Sequence, residues 1–401
     1  MKYFSYLATS AQILQQYKGQ NPFAVFTREF FKSNKKYGST DRKQITSLCY
    51  NCFRLGHAAH QIPVDERILL GTFLCEKKSN ELLLHFKPQW NLLIEKSIDE
   101  KFVFLGDSID PGSVFPYRKE LSDGMDFDKF TLSFLLQPML FLRARPGKKE
   151  LIDLKLKNNS IEGRWIGEDC LELPNGSKIE AALELDKDAV VQDYNSQRVG
   201  KFMKQAIAAG VDKRPGKRSI NVWDCCAASG GKSIMAFDID PSISLTVSDI
   251  RSSILESLAQ RFKRAGIIHY TSFEANLSEK IQEVGHGFLN KTLPGFDLVI
   301  ADVPCTGSGT WSRTPEHLFY FNPKKIKEYS ILQKEIVTNA ASKLKPGGHL
   351  LYITCSVFKK ENEDIVDHVQ KNLLLTLQVK ELLKGYEMRA DTLFVALFTK
   401  T

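Results

Sequence analysis

Residues 221–233 carry the sequence NVWDCCAASGGKS, in which an apolar stretch runs into small residues and two glycines before a helix begins. Glycine lets the backbone approach a ligand closely, and a helix N-terminus offers free N–H groups to that ligand. A phosphate-binding P-loop would need a further glycine five residues before Gly231, where this chain has Cys226. The P-loop is therefore excluded, and the stretch predicts another kind of nucleotide-like ligand.

This stretch lies in a long alternation of strands and helices that extends from about residue 189 toward the end of the chain. The predicted strands are apolar along their whole length, and amphipathic helices separate them. This pattern is typical of an α/β fold whose mostly parallel sheet is covered by helices on both faces. In such sheets, ligands bind beyond the carboxyl ends of the strands. The predicted strands are SINVWDCC, SLTVSDI, IIHYTSFEAN, FDLVIADVPC and GGHLLYITCS.

Two regions of different character precede this alternation. Residues 1 to about 128 favour an all-helical domain, as in the segment from Ser39 to His57, where polar residues open a run with apolar residues at spacings of three and four. Residues 129–188 predict a small α/β module. This module has MLFLRARP as a strand, KKELIDLKLKNN as a helix and DCLELPNGSKI as a hairpin around Asn-Gly.

The bulk composition is that of an ordinary globular protein, with 43% hydrophobic and 25% charged residues among 401. No apolar run approaches the ~20 residues that a membrane span needs. The N-terminal residues MKYFSYLATSAQILQQYKGQ predict an amphipathic helix instead of a signal peptide. We therefore expect a cytoplasmic protein without a membrane partner.

The chain has eight cysteines, which are expected to be reduced thiols because no secretion signal is predicted. Cys49 and Cys52 form one CxxC motif, but no second pair with metal-binding spacing accompanies them. We therefore expect these two thiols to pack in a helical core and no metal to be bound.

The net charge of +8 favours a polyanionic partner. Three basic clusters precede the strand–loop–helix stretch, although each cluster alone is more commonly a solvated surface. The clusters are FFKSNKKYG (30–38), FLRARPGKK (141–149) and DKRPGKR (212–218).

Three side chains at predicted strand ends are candidates for chemistry. Asp249 ends the strand SLTVSDI, where an acidic residue is placed to take both ribose hydroxyls of a ligand, with a helix N-cap as the alternative. Cys305 in DVPCTGSG and Cys355 in YITCSVFKKENEDI each follow a predicted central strand. One such cysteine would most often be core, but two that are followed by Thr or Ser in a turn are hard to explain by packing. A thiolate at the start of a helix would be stabilised by the helix dipole and would be reactive.

Together, the segments DCCAASGGK, VSDI, DVPCTGSGT and TCSVFKKENE resemble the Sun/Fmu family of S-adenosylmethionine-dependent RNA (cytosine-5) methyltransferases. The family patterns are roughly D-x-C-A-A-P-G-G-K, D-x-P-C-S-G-x-G and T-C-S-x-x-x-x-E-N-E. VVQDYNSQRVGKF (190–202) is similar to the opening segment of the family, and the resemblance extends to about residue 366. Upstream, PMLFLRARP is similar to the small RNA-binding subdomain of the family. The segment from Ser39 to His57 is similar to the NusB-like helical domain of its bacterial rRNA members.

The resemblance implies a Rossmann-like catalytic domain with S-adenosylmethionine as cofactor, and it implies a role for each site residue. Asp302 would bind the cytosine edge, Cys355 would be the nucleophile and Cys305 would assist product release. DNA cytosine-5 enzymes use a Pro-Cys cysteine as nucleophile, but the RNA members of the family use the Thr-Cys-Ser cysteine, and we follow them. The implied cofactor-binding residues are Cys226, Ala227, Ala228, Ser229, Gly230, Gly231 and Lys232 for the methionine end, Asp249 for the ribose, Asn276 for the adenine, and Asp302 near the methyl donor.

The chain departs from the family pattern at three places. Ser229 replaces the loop proline, which is expected to loosen the turn without removing a ligand group. Asn276 stands where the family has an adenine-contacting Asp, and its carbonyl oxygen can still accept a hydrogen bond from the adenine amino group. Ser312 and Arg313 stand where many members have two arginines, which changes the expected RNA contacts and not the expected reaction.

We therefore expect a 16S-type rRNA cytosine-5 methyltransferase that acts on RNA as a monomer. One alternative is the same reaction on tRNA, and another is a non-catalytic RNA-binding ribosome-assembly factor on a methyltransferase fold. A small-molecule or protein methyltransferase has no use for paired strand-end cysteines and a basic N-terminal half. The expected domains are a helical NusB-like RNA-binding domain (1–128), a small α/β RNA-binding subdomain (129–188) and the catalytic domain (189–401).

Overall fold

A computed structural model describes residues 2–212, 219–279 and 295–401. The basic residues of the predicted cluster at 212–218 lie outside the described residues. Within the described part, no helix is long and apolar enough to cross a membrane. The chain forms two compact units: the first comprises Met1–Leu121, Met125–Pro138 and Thr310–Asn322, and the second comprises Ser122–Gly124, Met139–Gly309 and Pro323–Thr401.

The first unit is helical, and some of its helices begin where the sequence supplies caps. Asn80 accepts hydrogen bonds from the N–H groups of Leu82 and Leu83, and Ser97 forms a capping box with Glu100. Among the described residues, its helices are Lys2–Gln16, Phe23–Ser33, Ser39–Arg54, Val64–Cys75, Glu81–Phe86, Pro88–Leu92, Ile98–Leu105, Phe127–Ser133 and Pro315–Phe319.

The CxxC cysteines lie in the core of this helical unit. Cys49 and Cys52 are buried on the helix Ser39–Arg54, in a cluster that also contains the rings of Tyr17 and Phe53. Burial raises the pKa of both thiols, that of Cys52 to about 11. Thiols that stay protonated inside an apolar cluster act as small hydrophobic side chains, so the predicted core packing is confirmed.

The second unit contains a small antiparallel sheet with strand order β2-β3-β1-β4, which the helix Lys149–Asn158 accompanies. The hairpin predicted around Asn175 and Gly176 is wrong, because β3 pairs with β2 and the turn between them contains Gly167. After β3, Pro174 has no N–H to continue the ladder, and the Asn-Gly turn leads into a short 3₁₀ helix. The strands are β1 (Leu140–Ala144), β2 (Arg164–Ile166), β3 (Cys170–Leu173) and β4 (Ala189–Val191).

The rest of the second unit is built on a seven-stranded sheet of order β10-β11-β9-β8-β5-β6-β7. Strands β5 to β9 are parallel, which confirms the predicted α/β fold with a mostly parallel sheet. The strands are β5 (Asn221–Asp224), β6 (Ser244–Asp249), β7 (Thr271–Glu274), β8 (Phe296–Asp302), β9 (Leu344–Thr354), β10 (Leu375–Leu383) and β11 (Leu393–Lys400). The helices described in this part are Tyr194–Arg198, Gly200–Asp212, Gly231–Ile239, Ser252–Ala265, Lys324–Ser342 and Glu363–Asn372.

Two features of this sheet matter for function. The chain runs outward from β5 in one direction through β6 and β7, and in the other direction through β8 and β9. A crevice at such a reversal is where open α/β sheets bind ligands, and the loops after β5, β8 and β9 open there. The sequence interpretation missed β10 and β11, which add an antiparallel edge to the sheet beside β9.

Candidate active site

The loop after β5 adopts the backbone geometry that the small residues predict. Ala228 and Gly230 have positive φ angles of 44° and 86°. A Cβ atom at Gly230 would lie 2.7 Å from Phe262 and 3.1 Å from Leu258. Only glycine therefore lets the loop pack this closely against the helix Ser252–Ala265. The helix Gly231–Ile239 follows at once and presents the N–H groups of its first turn at the carboxyl end of the sheet.

Asp249 ends β6 and is 7% exposed. Its Oδ2 accepts a hydrogen bond from the backbone N–H of Ala228 at 3.1 Å, and its Oδ1 accepts from the backbone N–H and from Nε of Arg251 at 3.0 and 3.1 Å. The cap position of the helix Ser252–Ala265 belongs to Arg251, so the N-cap alternative for Asp249 is wrong. The carboxylate instead joins the β5 loop to the end of β6.

Asn276 lies two residues beyond β7, next to the end of β6, because the N–H of Ala275 donates to the carbonyl of Asp249. Its Oδ1 accepts from the N–H and hydroxyl of Ser278, and its Nδ2 donates to Glu279 at 2.6 Å. The oxygen that the sequence interpretation assigned to the adenine is therefore engaged in a local turn, and an adenine contact there would share it.

Ser229, which stands in place of the family's loop proline, is hydrogen-bonded to a side chain of the helix Ser252–Ala265. Arg261 Nη1 donates to the carbonyl oxygen of Ser229 at 3.0 Å and to its hydroxyl at 2.9 Å. The same guanidinium is paired with the buried carboxylate of Asp186 at 2.6 Å. A proline ring would restrict the loop covalently, whereas here an anchored arginine restrains it through two hydrogen bonds.

Asp302 is the last residue of β8, and its carboxylate is partly exposed. Lys232 Nζ, from the first turn of the helix Gly231–Ile239, lies 3.1 Å from Asp302 Oδ2 and donates to Ser196 Oγ at 2.7 Å. The Lys232 side chain is largely buried. Lys232 therefore forms an ion pair with Asp302 at the end of β8.

The two strand-end cysteines are in contact. Because β8 and β9 are parallel neighbours, their carboxyl ends bring the sulfurs of Cys305 and Cys355 to 3.2 Å. Both are free thiols and half-buried. Neither lies at the N-terminus of an α-helix, because loops and 3₁₀ turns follow both strands, so the predicted stabilisation by a helix dipole is wrong.

The hydrogen bond between the sulfurs is the main reason why the pKa of Cys305 lies well above its usual value, and burial raises it further. Either sulfur can donate this hydrogen bond. A thiol with a raised pKa is a poorer nucleophile, because the thiolate is the reactive form. The raised pKa of Cys305 therefore argues for Cys355 as the sulfur that attacks.

Asp224 is a site carboxyl that the sequence interpretation left without a role. It ends β5, is fully buried, and accepts a hydrogen bond from Ser233 Oγ at 2.6 Å, while its Oδ1 has no hydrogen-bond partner among the described residues. Burial raises the pKa of Asp224 to about 7. A carboxyl group with a pKa near neutral pH loses its proton more readily when a cationic group of a ligand lies close to it.

We expect Asp224→Asn to flatten the dependence of stability on pH. Because the pKa of Asp224 is raised on folding, its contribution to stability is complete below about pH 4 and is lost as the pH rises toward 7. The shift corresponds to at most about 4 kcal/mol of unfolding free energy. Denaturant unfolding of parent and variant at several pH values between 4 and 7 measures it, and parallel pH profiles would contradict the assignment.

The chemistry of this donor set fits S-adenosylmethionine. A strained loop with open space beside Gly231, a helix N-terminus and a strand-end acid at Asp249 lie at the carboxyl end of the sheet, and one oxygen of the buried Asp224 at the end of β5 has no partner among the described residues. Backbone N–H groups suit the carboxylate of an amino acid, and carboxylates suit hydroxyl and ammonium groups. The crevice thus offers both kinds of group that a nucleoside joined to an amino acid needs.

Residues 214–389 match the sequence model of the family described as 16S rRNA methyltransferase RsmB/F. The chain is 34% identical over 147 residues to ribosomal RNA small subunit methyltransferase B of Shewanella oneidensis, which covers 36% of this chain and 32% of that protein. It is 29% identical over 180 residues to the enzyme of the same name from Xanthomonas campestris, covering 45% and 37%. The chain therefore aligns with only about a third of the length of these curated relatives.

Solved structures support the fold. The crystal structure of the protein PH0851 superposes with a TM-score of 0.66 at 18% identity and covers 98% of both chains. The structure of NSun6 from Pyrococcus horikoshii with SFG superposes with a TM-score of 0.50 at 14% identity, covering 69% of this chain and 95% of that one. At these identities the likeness concerns the fold alone.

Proposed function

Because residues 214–389 belong to the 16S rRNA methyltransferase RsmB/F family, to which the Sun/Fmu resemblance also points, we propose that the protein methylates carbon 5 of a cytosine in rRNA with S-adenosylmethionine as the methyl donor. The observation that carries the proposal is the pair of sulfurs of Cys305 and Cys355, 3.2 Å apart at the ends of adjacent strands. Asp302, which ends the same strand β8, is paired with Lys232.

The reaction needs a thiolate because carbon 5 of cytosine is a poor nucleophile. The Cys355 thiolate forms a bond with carbon 6, and the electron pair of the ring double bond then makes carbon 5 enamine-like. When bound, S-adenosylmethionine supplies an electrophilic methyl group from its sulfonium. The NSun6 structure with SFG is one fold relative determined with a small molecule.

We assign Asp302 and Lys232 to the edge of the cytosine that carries ring nitrogen 3 and the ring carbonyl oxygen, away from carbons 5 and 6. Attack at carbon 6 pushes charge toward ring nitrogen 3, and a proton donor there stabilises the adduct. The 3.1 Å contact between Lys232 and Asp302 provides a carboxylate and a proton in one place. We assign base recognition to Asp302 and the charge that accompanies it to Lys232.

Cys305 acts after the methyl group is in place. Carbon 5 then carries a proton that must leave so that the double bond can reform and the carbon–sulfur bond can break. Once the Cys355 sulfur is bonded to carbon 6 as a thioether, its hydrogen bond with Cys305 weakens and its charge is gone, so two of the causes that raise the pKa of Cys305 are reduced. Cys305 can then give its proton to solvent, accept the proton of carbon 5, and so release the Cys355 thiolate.

The loop from Cys226 to Lys232 would hold the methionine end of the cofactor, Asp249 the ribose and Asn276 the adenine edge. The target base must leave its stack to enter this crevice, which costs at most a few kcal/mol in single-stranded or looped RNA. We assign the RNA backbone to the two upstream regions, 1–128 and 129–188, whose basic residues suit phosphates. A cytoplasmic monomer remains our prediction for the protein as a whole.

Bisulfite sequencing of total RNA from a deletion strain tests the function. We expect one or more rRNA cytosines to lose their methyl mark and to regain it when the gene is restored. A loss confined to tRNA would select the alternative substrate, and no loss anywhere would contradict the enzymatic proposal. Restoration with Cys355→Ala is the matched control. We expect the methyl mark to stay absent with this variant, whereas a non-catalytic factor that acts only by its presence would restore the mark.

A further inference from the structure

Glu361 lies fully buried between the two loops that carry the cysteines. Its Oε1 accepts hydrogen bonds from the hydroxyls of Thr306 at 2.6 Å and Ser356 at 2.8 Å. Its Oε2 accepts from the backbone N–H of Thr306 at 2.8 Å and from Nε2 of Gln333 at 3.1 Å. One carboxyl group therefore receives four donated hydrogen bonds inside the protein.

Two of the residues that donate these hydrogen bonds are sequence neighbours of the cysteines. Thr306 directly follows Cys305, and Ser356 directly follows Cys355. Gln333 also donates to the carbonyl of Pro304, the residue that precedes Cys305. The Glu361 carboxyl thus connects the residues next to both sulfurs, which are otherwise 50 positions apart in the chain.

Four donors suit an ionised carboxylate, which only accepts hydrogen bonds. Burial raises the pKa of Glu361, and the bonds from Thr306, Ser356 and Gln333 oppose that effect. The negative charge also contributes to raising the pKa of Cys305, after the effects of Cys355 and of burial. The hydrogen bonds of Glu361 thus connect the turns that follow both cysteines, and its negative charge raises the pKa of Cys305.

We propose that Glu361 is a positioning residue that holds the sulfurs of Cys305 and Cys355 in contact by tying together the two turns that carry them. The inference rests on the proposed function, since it concerns the thiols of that reaction. It has two consequences that are separable by experiment: a spacing between the sulfurs, and a proton retained on Cys305.

The spacing is tested by oxidation of the purified full-length protein with diamide, in which the two thiols lose two hydrogens and diamide becomes the hydrazine. We expect the parent to form the Cys305–Cys355 disulfide rapidly, detected by mass spectrometry of peptides, and Glu361→Ala to form it about tenfold more slowly or worse. Glu363→Gln is the matched control, because Glu363 is also buried but accepts from the N–H of Asp123, and none of its described hydrogen bonds goes to Thr306, Ser356 or Gln333.

The retained proton is tested with Glu361→Gln, which keeps the size of the side chain and removes its charge. We expect Cys305 of this variant to react with iodoacetamide at a lower pH than in the parent, whereas Glu363→Gln leaves the profile unchanged. Thermal unfolding identifies variants that fail to fold. If Glu361→Ala fails to fold, both thiol measurements are made on Glu361→Gln.

Activity supplies the third measurement. We expect Glu361→Gln to lower kcat for methyl transfer while the KM for RNA stays near that of the parent, because the fully buried carboxyl group presents no surface to RNA. If folded Glu361 variants formed the disulfide at the rate of the parent, and their Cys305 reacted with iodoacetamide at the same pH as in the parent, Glu361 would not be a positioning residue. If the parent itself transferred no methyl group, the proposed function would fail, while the two thiol measurements would still decide the inference.

Discussion

Replacing Cys355 with alanine is expected to abolish methyl transfer, by at least about 10³-fold, and to leave no covalent complex with RNA. The attack on carbon 6 needs a thiolate, and the raised pKa of Cys305 makes that neighbouring thiol the poorer nucleophile of the two. Transfer of a labelled methyl group to an rRNA transcript or to ribosomal subunits measures the loss.

A matched control separates loss of the nucleophile from loss of a thiol in general. Cys170→Ala removes a buried cysteine from β3 of the small sheet and is expected to retain methyl transfer. Retained binding of RNA by Cys355→Ala, with activity lost, places the defect in the chemical step. Substantial methylation by Cys355→Ala would overturn the assignment.

Replacing Cys305 with alanine is expected to trap the enzyme on RNA. The Cys355 adduct still forms, but the proton of carbon 5 has no base, so the carbon–sulfur bond persists. General acid–base groups typically contribute about 10²- to 10⁴-fold, so turnover should fall by a factor in this range. The trapped species is a slowly migrating band on a denaturing gel, and it should disappear in the double variant that also lacks Cys355.

The reverse pattern decides between the two thiols. They lie 3.2 Å apart, so position alone is compatible with attack by either sulfur. The raised pKa of Cys305 argues for its later role. A trapped band from Cys355→Ala in place of Cys305→Ala would assign the attack to the Pro-Cys cysteine.

Much of the site could be predicted because a parallel sheet collects the carboxyl ends of its strands at one edge. A run of apolar residues locates such strands. Four of the site residues end a strand or lie within three residues of its end: Asp249, Asp302, Cys305 and Cys355. The Asn-Gly hairpin was wrong because a turn signal does not identify a strand partner. Strands β10 and β11 were missed because the interpretation followed the parallel alternation and stopped where that alternation ends.

By itself, the sequence determined the order of the strands and loops, the residue types at each strand end, and the glycines that the loop after β5 requires. Only the tertiary structure decided which of these residues meet: Lys232 with Asp302, Arg261 with Ser229, and Glu361 with the turns beyond both cysteines. The physical reason is that strand pairing and packing bring together groups that are tens of residues apart, and a hydrogen bond or a pKa shift depends on that distance in space. ADVPCTGSGT (301–310) shows both contributions. The sequence predicts that its cysteine follows a strand end and acts together with Cys355, and only the tertiary structure gives the 3.2 Å contact between the two sulfurs.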